Sequence, residues 1–268
     1  MKTNVMLLKK YTGYDSLRGT VFVQPKLDGI RAYYSQGILR TRSGKVIDSV
    51  PHITNALGTF PGDFEGFDGE LYTDELPFDA IAGIVNRTVN MADASKIKFH
   101  VFDVMSNDSF KYRTSIITDI LARRREFVKN AVCKVATYRI DSKKDYADML
   151  RRFIDDGYEG IVVRHTDRPY EFTRSSQVLK YKPHRIETAT IISIDKGSGK
   201  YYNVCGSLVC TLKSNNKLFS VGSGLNDEQR QKIVDHPESY INREITVKFQ
   251  ELTQYGIPRF PVIISLNP

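Results

Sequence analysis

The feature that most limits the folds open to this chain is a change of pattern near Pro183. Before it, short β-branched and aromatic runs alternate with apolar spacings that suit helices. After it come five closely spaced strand candidates, at 190–194, 206–212, 218–221, 244–250 and 261–266. One helix candidate, 227–234, sits between the third and fourth. Five strands with one interposed helix predict a small β-barrel. The chain is therefore expected to be α+β with two domains, 1–185 and 186–268, joined by a hinge over 183–187.

The first domain reads as antiparallel sheets with flanking helices. Strands are expected at 21–23, 31–34, 38–42, 70–72, 97–105, 133–140, 160–164 and 177–182. Asp28-Gly29, Gln36-Gly37, Ser43-Gly44 and Asp68-Gly69 read as turns. Helices are expected at 51–57, 78–85, 112–128 and 146–154. On the third of these, Ile116, Ile117, Ile120, Leu121 and Phe127 should share one side, with residues 123–125 facing solvent.

The 268 residues carry a net charge of +8, and a basic balance favours a polyanionic partner such as nucleic acid. A solvated Lys- and Arg-rich surface is the plainer explanation. Cys133, Cys205 and Cys210 include no C-x-x-C pair, so a zinc ribbon is not expected. Sparse, odd cysteines suit a reducing compartment. The apolar run 5–8 is too short for a signal core or a membrane span. These features predict a soluble, cytoplasmic protein that makes no use of a membrane.

The chemistry is concentrated in four segments. Lys26-Leu27-Asp28-Gly29-Ile30-Arg31 puts an amine and a guanidinium on either side of a tight turn. An amine is nucleophilic only when deprotonated, so cations or desolvation must lower its pKa. Arg31 can hold a phosphate in a bidentate way that Lys cannot. Asp68-Gly69-Glu70-Leu71 and Glu159-Gly160-Ile161-Val162-Val163-Arg164 each place a carboxylate beside a strand. Lys180-Tyr181-Lys182 puts two cations on one strand face. Singly, each could be hairpin charge, a helix-to-strand loop or a solvated edge. Together they supply a nucleophile, carboxylates for a ribose and a divalent metal, and cations for a phosphate.

This ordered set resembles the covalent nucleotidyltransferase superfamily, and within it the ATP-dependent DNA ligases. The resemblance runs from Lys26 nearly to the end of the chain. It implies a nucleotidyltransferase (adenylation) domain followed by an OB-fold β-barrel, and Lys26 as the nucleophile that takes AMP from ATP. It implies that Glu70 contacts the ribose, Phe102 stacks on adenine and Gln24 reads the adenine amino group. Glu159 would bind the metal, expected to be Mg2+, and Lys180 and Lys182 the α-phosphate. Arg31, Arg42 and Ser43 would touch nucleotide or DNA. The implied substrate is nicked duplex DNA, and the expected working unit is a monomer. AMP would pass from Lys26 to the 5′-phosphate, and the 3′-hydroxyl would then displace it, with the barrel domain moving between steps. Phe102 in an alternating strand is also explained as core, and Arg42 and Ser43 as a polar hairpin.

Val247-Lys248-Phe249-Gln250-Glu251 and the stretch 255–261 resemble the end of the ligase barrel. Two departures stand out: no R-x-D-K-like segment follows, and the loop 196–204 is short for the insertion that some small ligases close around DNA. With Lys26 so near Met1, no preceding DNA-binding domain is expected, and the expected role is that of a minimal replication or repair enzyme of phage or viral type. An RNA ligase of the same superfamily is the nearest alternative. Glu159 argues against a capping guanylyltransferase, which usually has Asp there. A non-catalytic nucleic-acid-binding protein is the alternative from another class.

Overall fold

The computed structural model of the protein describes residues 4–11, 20–58, 65–87, 91–165, 167–253 and 255–266. The chain divides into two compact units, Met1–Tyr181 and Lys182–Pro268. The first contains, in order, β1 (Leu7–Lys10), β2 (Val21–Lys26), β3 (Ile30–Ser35), β4 (Ile38–Thr41), α1 (Pro51–Leu57), β5 (Phe67–Tyr72), α2 (Phe78–Asn86) and β6 (Lys98–Val104). There follow α3 (Phe110–Arg123), α4 (Arg125–Val128), β7 (Val132–Lys134), β8 (Tyr138–Ile140), α5 (Lys143–Asp155), β9 (Gly160–His165) and β10 (Arg174–Tyr181).

These strands form two sheets, ordered β1-β10-β9-β2-β8 and β4-β3-β5-β6-β7. Most pairs are antiparallel, as the sequence suggests, but β1 pairs with β10, and β6 with β7, in parallel. The second sheet is backed by α1, α2 and α3 through a core that includes Phe67, Phe99, Ile53, Ile81 and Ile117. The first sheet packs on α5 through Val21, Val163, Tyr146 and Phe153. A third cluster joins Val162 and Val178 of the first sheet to Tyr33 of the second, with Val5, Met6 and Tyr170. The faces that meet there carry the polar residues of the candidate site.

The second unit is one antiparallel sheet: β11 (Arg185–Lys196), β12 (Cys205–Leu212), β13 (Leu218–Val221), β14 (Glu244–Phe249) and β15 (Val262–Leu266), ordered β13-β12-β11-β14-β15. Two register shifts in β11 add the bend that bulges bring to a curling sheet. Just past β13, the Ser223 carbonyl accepts from Ile263 N in β15 at 2.9 Å, which brings the two ends of the sheet together. The helix α6 (Asp227–Asp235) starts from a full capping box, Asn226 with Gln229. Its buried Arg230 donates to the Cys205 and Gly206 carbonyls at 2.6 and 2.7 Å.

Several expectations needed correction. Asp68-Gly69 is not a turn but the middle of β5; a Cβ on Gly69 would strike the His100 carbonyl, and Asp68 is buried in an ion pair. The single strand expected at 133–140 is two strands in different sheets, because the Val135 amide follows β6 and donates to Val101 O before the chain crosses to β2. The long helix at 112–128 breaks at Arg124, whose guanidinium turns back to the Leu57 carbonyl. Phe127, expected inside, is consequently 73% exposed, with Arg124 over its ring. The hinge does not reach 187: residues 185–187 are already laddered to β14. The run at 5–8, set aside as too short for a span, leads into the edge strand β1.

Candidate active site

Sheet register alone brings much of the sequence-identified set together. In the first sheet Gln24 pairs with Val162, which pairs with Lys180. Residues directly opposite share a face, so Gln24 and Lys180 lie on one side. Lys26, two residues on from Gln24, leaves the same side and pairs with Gly160. In the second sheet Arg31 pairs with Glu70, which pairs with His100. The turn between Lys26 and Arg31 needs Gly29, where a Cβ would collide with the Leu71 carbonyl.

Glu159 precedes β9, and its amide donates to the Lys26 carbonyl at 3.0 Å. Its carboxylate closes an ion pair with the Lys26 ammonium, and its side chain is 5% exposed. Glu70 feels Lys26, Arg31, Asp68 and Asp28; burial outweighs the cations and pushes its carboxyl up to about 7. Lys180 is pulled below the ordinary lysine value by desolvation and then by the nearby charges of Lys26, Arg174, Arg42 and Arg31. Such a concentration of cations around two carboxylates is what a bound polyphosphate would neutralise.

Arg31 is held from several directions. Its Nε donates to Asp68 Oδ1 at 3.0 Å, and its Nη2 donates to Asp68 Oδ2 and to the Met6 carbonyl, each at 2.6 Å. The Met6 amide in turn donates to the Tyr170 hydroxyl at 2.8 Å, and that hydroxyl donates to Asp68 Oδ2 at 2.6 Å. A closed ring of hydrogen bonds thus fixes the guanidinium. Burial lowers the Arg31 pKa, but the charge and hydrogen bonds of Asp68, with Tyr170 and Glu70, together raise the value overall.

Phe102 is the extra residue of a β-bulge. One step along β5, from Asp68 to Gly69, corresponds to two steps on β6, from Asp103 to Val101. A bulge re-aims the side chain it inserts. The Phe102 ring is partly exposed, with the guanidinium carbons of Arg31 and Arg164 at 5.4 and 5.2 Å from its centroid. Its carbonyl accepts from Gln24 Nε2 at 3.2 Å. Gln24 Oε1 accepts from Arg164 Nε at 2.6 Å, and Arg164 pairs with Asp103, which also holds Arg113 at 2.7 Å.

Lys26, Glu159, Glu70, Arg31, Phe102, Gln24 and Lys180 are therefore linked by contact or field. Arg42 lies in an exposed turn but within the field of Lys180. Ser43, also exposed, is bonded to Thr41 Oγ1 at 3.0 Å. Lys182 belongs to the second unit, where it donates to Gln250 Oε1 at 3.2 Å. Asp68, Asp103, Arg113, Arg164 and Tyr170 are supporting residues that sequence reasoning did not assign. Arg164 had a signal: a charge closing the apolar run 161–163. Asp103 had one too, as a carboxylate on the two-residue alternation that otherwise carries Phe99, Val101 and Met105. Arg113 and Tyr170 had none that sequence spacing reveals.

The family model for the ATP-dependent DNA ligase domain matches residues 6–182, and that for the DNA ligase OB-like domain matches residues 196–266. A DNA ligase of Haemophilus influenzae is 31% identical over 258 residues, covering 96% of this chain and 90% of that protein. A DNA ligase of African swine fever virus is 28% identical, covering 88% of this chain and 61% of the viral protein. Among solved structures, a Lig E DNA ligase studied for DNA binding with a minimal scaffold has a TM-score of 0.81 at 26% identity, over 97% of this chain and 98% of that one. The Chlorella virus DNA ligase-adenylate shares the fold, with a TM-score of 0.59 at 24% identity over 99% of each chain.

Proposed function

The chain belongs to the ATP-dependent DNA ligase family, and on that premise we propose that it seals 5′-phosphate/3′-hydroxyl nicks in duplex DNA through AMP carried on Lys26. The carrying observation is the placement of Lys26 against Glu159, with Glu70 and Lys180 within its electrostatic reach and Arg31 acting on the same two groups. As ligase and ATP user the chain follows its family; nick, residue roles and a monomeric working unit are our reading.

In the first step Lys26 Nζ attacks the α-phosphorus of ATP. An N–P bond forms, the bond to pyrophosphate breaks, and the amine proton leaves. Lys26 Nζ is paired with the Glu159 carboxylate, so that pair must open before the nitrogen can attack. Lys180 faces the same side and meets the α-phosphate charge. Phe102 offers the adenine a ring surface, and Glu70 a partner for the ribose. In the second step the 5′-phosphate of the nick takes the AMP and Lys26 regains its amine. In the third, the 3′-hydroxyl oxygen bonds the phosphorus of the 5′-phosphate, the bond from that phosphorus to AMP breaks, and AMP departs. Arg31, Arg42 and Ser43 are the groups proposed to meet DNA or nucleotide phosphates, and Lys182 is proposed, with Lys180, to contact the α-phosphate.

Magnesium is the proposed metal. Among the described residues no three His, Cys, Asp or Glu side chains cluster as a ready cage. Magnesium does not need one: it commonly takes one or two carboxylates and completes its shell with phosphate oxygens and water. Glu159, with Glu70 and Asp28 in the same neighbourhood, fits that oxygen-only set. When bound, the ion would neutralise charge on the phosphates.

None of the described helices is long and apolar enough to cross a membrane. A role in replication or repair inside a cell, with a viral or phage origin, is consistent with the viral relatives. Sealing of a nicked DNA duplex, compared with a nicked RNA duplex, tests the substrate. Sealing of DNA that requires ATP is the expected result; sealing of RNA alone would overturn the DNA reading. Size-exclusion chromatography with light scattering is expected to give the mass of one chain.

A further inference from the structure

Gln24 is 2% exposed, and its side-chain amide is almost fully used by the protein. Nε2 donates to the Phe102 carbonyl at 3.2 Å and to Thr137 Oγ1 at 3.0 Å. Oε1 accepts from Arg164 Nε at 2.6 Å. A primary amide has two N–H donors and two acceptor lone pairs. Both donors are committed, and so is one lone pair. What remains for a base is a single acceptor position. Adenine carries an amino donor at the position where guanine carries a carbonyl acceptor. The amide as held suits the first and repels the second.

Arg164 is not free to release that amide. Its Nη1 donates to Asp103 Oδ2 at 2.6 Å, and Asp103, fully buried, is also held by Arg113. A guanidinium has only donors, so it can face the amide oxygen but not the amide nitrogen. A flipped amide would set N–H against Arg164 and oxygen against the Phe102 carbonyl.

We infer that Arg164 is a positioning residue that sets the preference for adenine over guanine nucleotides, by locking the Gln24 amide with its oxygen available to the base. This rests on the reading of Gln24 as the base contact in Lys26 labelling. Asp103 and Arg113 hold Arg164, and Thr137 secures the other end of the amide.

The full chain is incubated with Mg2+ and α-labelled ATP or GTP, and the rates of labelling at limiting nucleotide give a preference ratio. Arg164→Met is expected to lower the ATP:GTP ratio by about tenfold, with the loss in the KM for ATP. Arg164→Lys keeps a donor and is expected to hold the ratio near that of the wild type. Thr137→Val loosens the amide from outside the buried Arg–Asp cluster, and is expected to lower the ratio less; it carries the test if Arg164→Met does not fold. An equal fall in labelling by both nucleotides, with the ratio unchanged in Arg164→Met and Thr137→Val, would make Arg164 merely structural and overturn the inference. Wild-type protein that takes no label from ATP would instead sink the Lys26 reading, and this inference with it.

Discussion

Lys26 and Glu159 are joined twice: by an ion pair between their side chains and by a 3.0 Å backbone hydrogen bond from the Glu159 amide to the Lys26 carbonyl. The backbone bond survives any change of side chain, so the two functions can be separated. Glu159→Gln is expected to cut nucleotide labelling by about tenfold or more while shifting Tm by only a few degrees. Thermal melting and labelling of the same sample check it. A large fall in Tm with labelling preserved would assign Glu159 to structure instead.

Asp68 holds Arg31 from a position 1% exposed. Removing one partner of a buried pair leaves the other charge uncompensated, which costs about 3–5 kcal/mol. Asp68→Ala is expected to approach that cost in urea unfolding. Tyr170→Phe removes the hydrogen bond to Asp68 and the one from the Met6 amide, and should cost about 2 kcal/mol. Equal costs for the two would mean that the ring around Arg31 is not organised by Asp68.

Glu70 gives the stability of the protein a pH dependence. Its carboxyl is raised to about 7, chiefly by burial, from an ordinary value of 4.5. An acid raised in this way holds its proton more tightly folded than unfolded. Its contribution to stability is full below about 4.5 and is lost as pH rises through 7. Glu70→Gln cannot ionise, so it should melt above the wild type at pH 8, with the gap closing toward pH 5. A gap that does not change with pH would contradict the shifted carboxyl.

Phe102 is legible in the sequence only as an apolar residue in an alternating strand. Its presentation depends on the bulge between β5 and β6, and a bulge is a pairing event that one strand cannot announce. The same holds for Asp68, read as a turn because Asp-Gly usually marks one. Here the glycine serves close packing of two strands instead. By contrast Lys26, Glu159 and Lys180 were legible because each stands at a strand end or on a two-residue alternation. The fate of Phe127 followed from Arg124 turning back to the Leu57 carbonyl, a contact 67 residues away in sequence. Local periodicity cannot see that.

Phe102→Ala is expected to raise the KM for ATP about tenfold, since base–aromatic stacking contributes about 1–3 kcal/mol. Phe102→Tyr keeps the ring and should stay within a few-fold of the wild type. An unchanged KM in Phe102→Ala, measured by steady-state labelling, would return Phe102 to the role of packing under Arg31 and Arg164.

Everything proposed for the reaction depends on Lys26 carrying AMP. The most direct measurement incubates the protein with Mg2+ and α-labelled ATP, digests it, and locates the acid-stable label by peptide mass spectrometry. The expected result is one AMP on the peptide containing Lys26, absent in Lys26→Ala and in Lys26→Arg, whose guanidinium cannot give up its proton to attack. Label on any other residue, or AMP retained by Lys26→Ala, would contradict it.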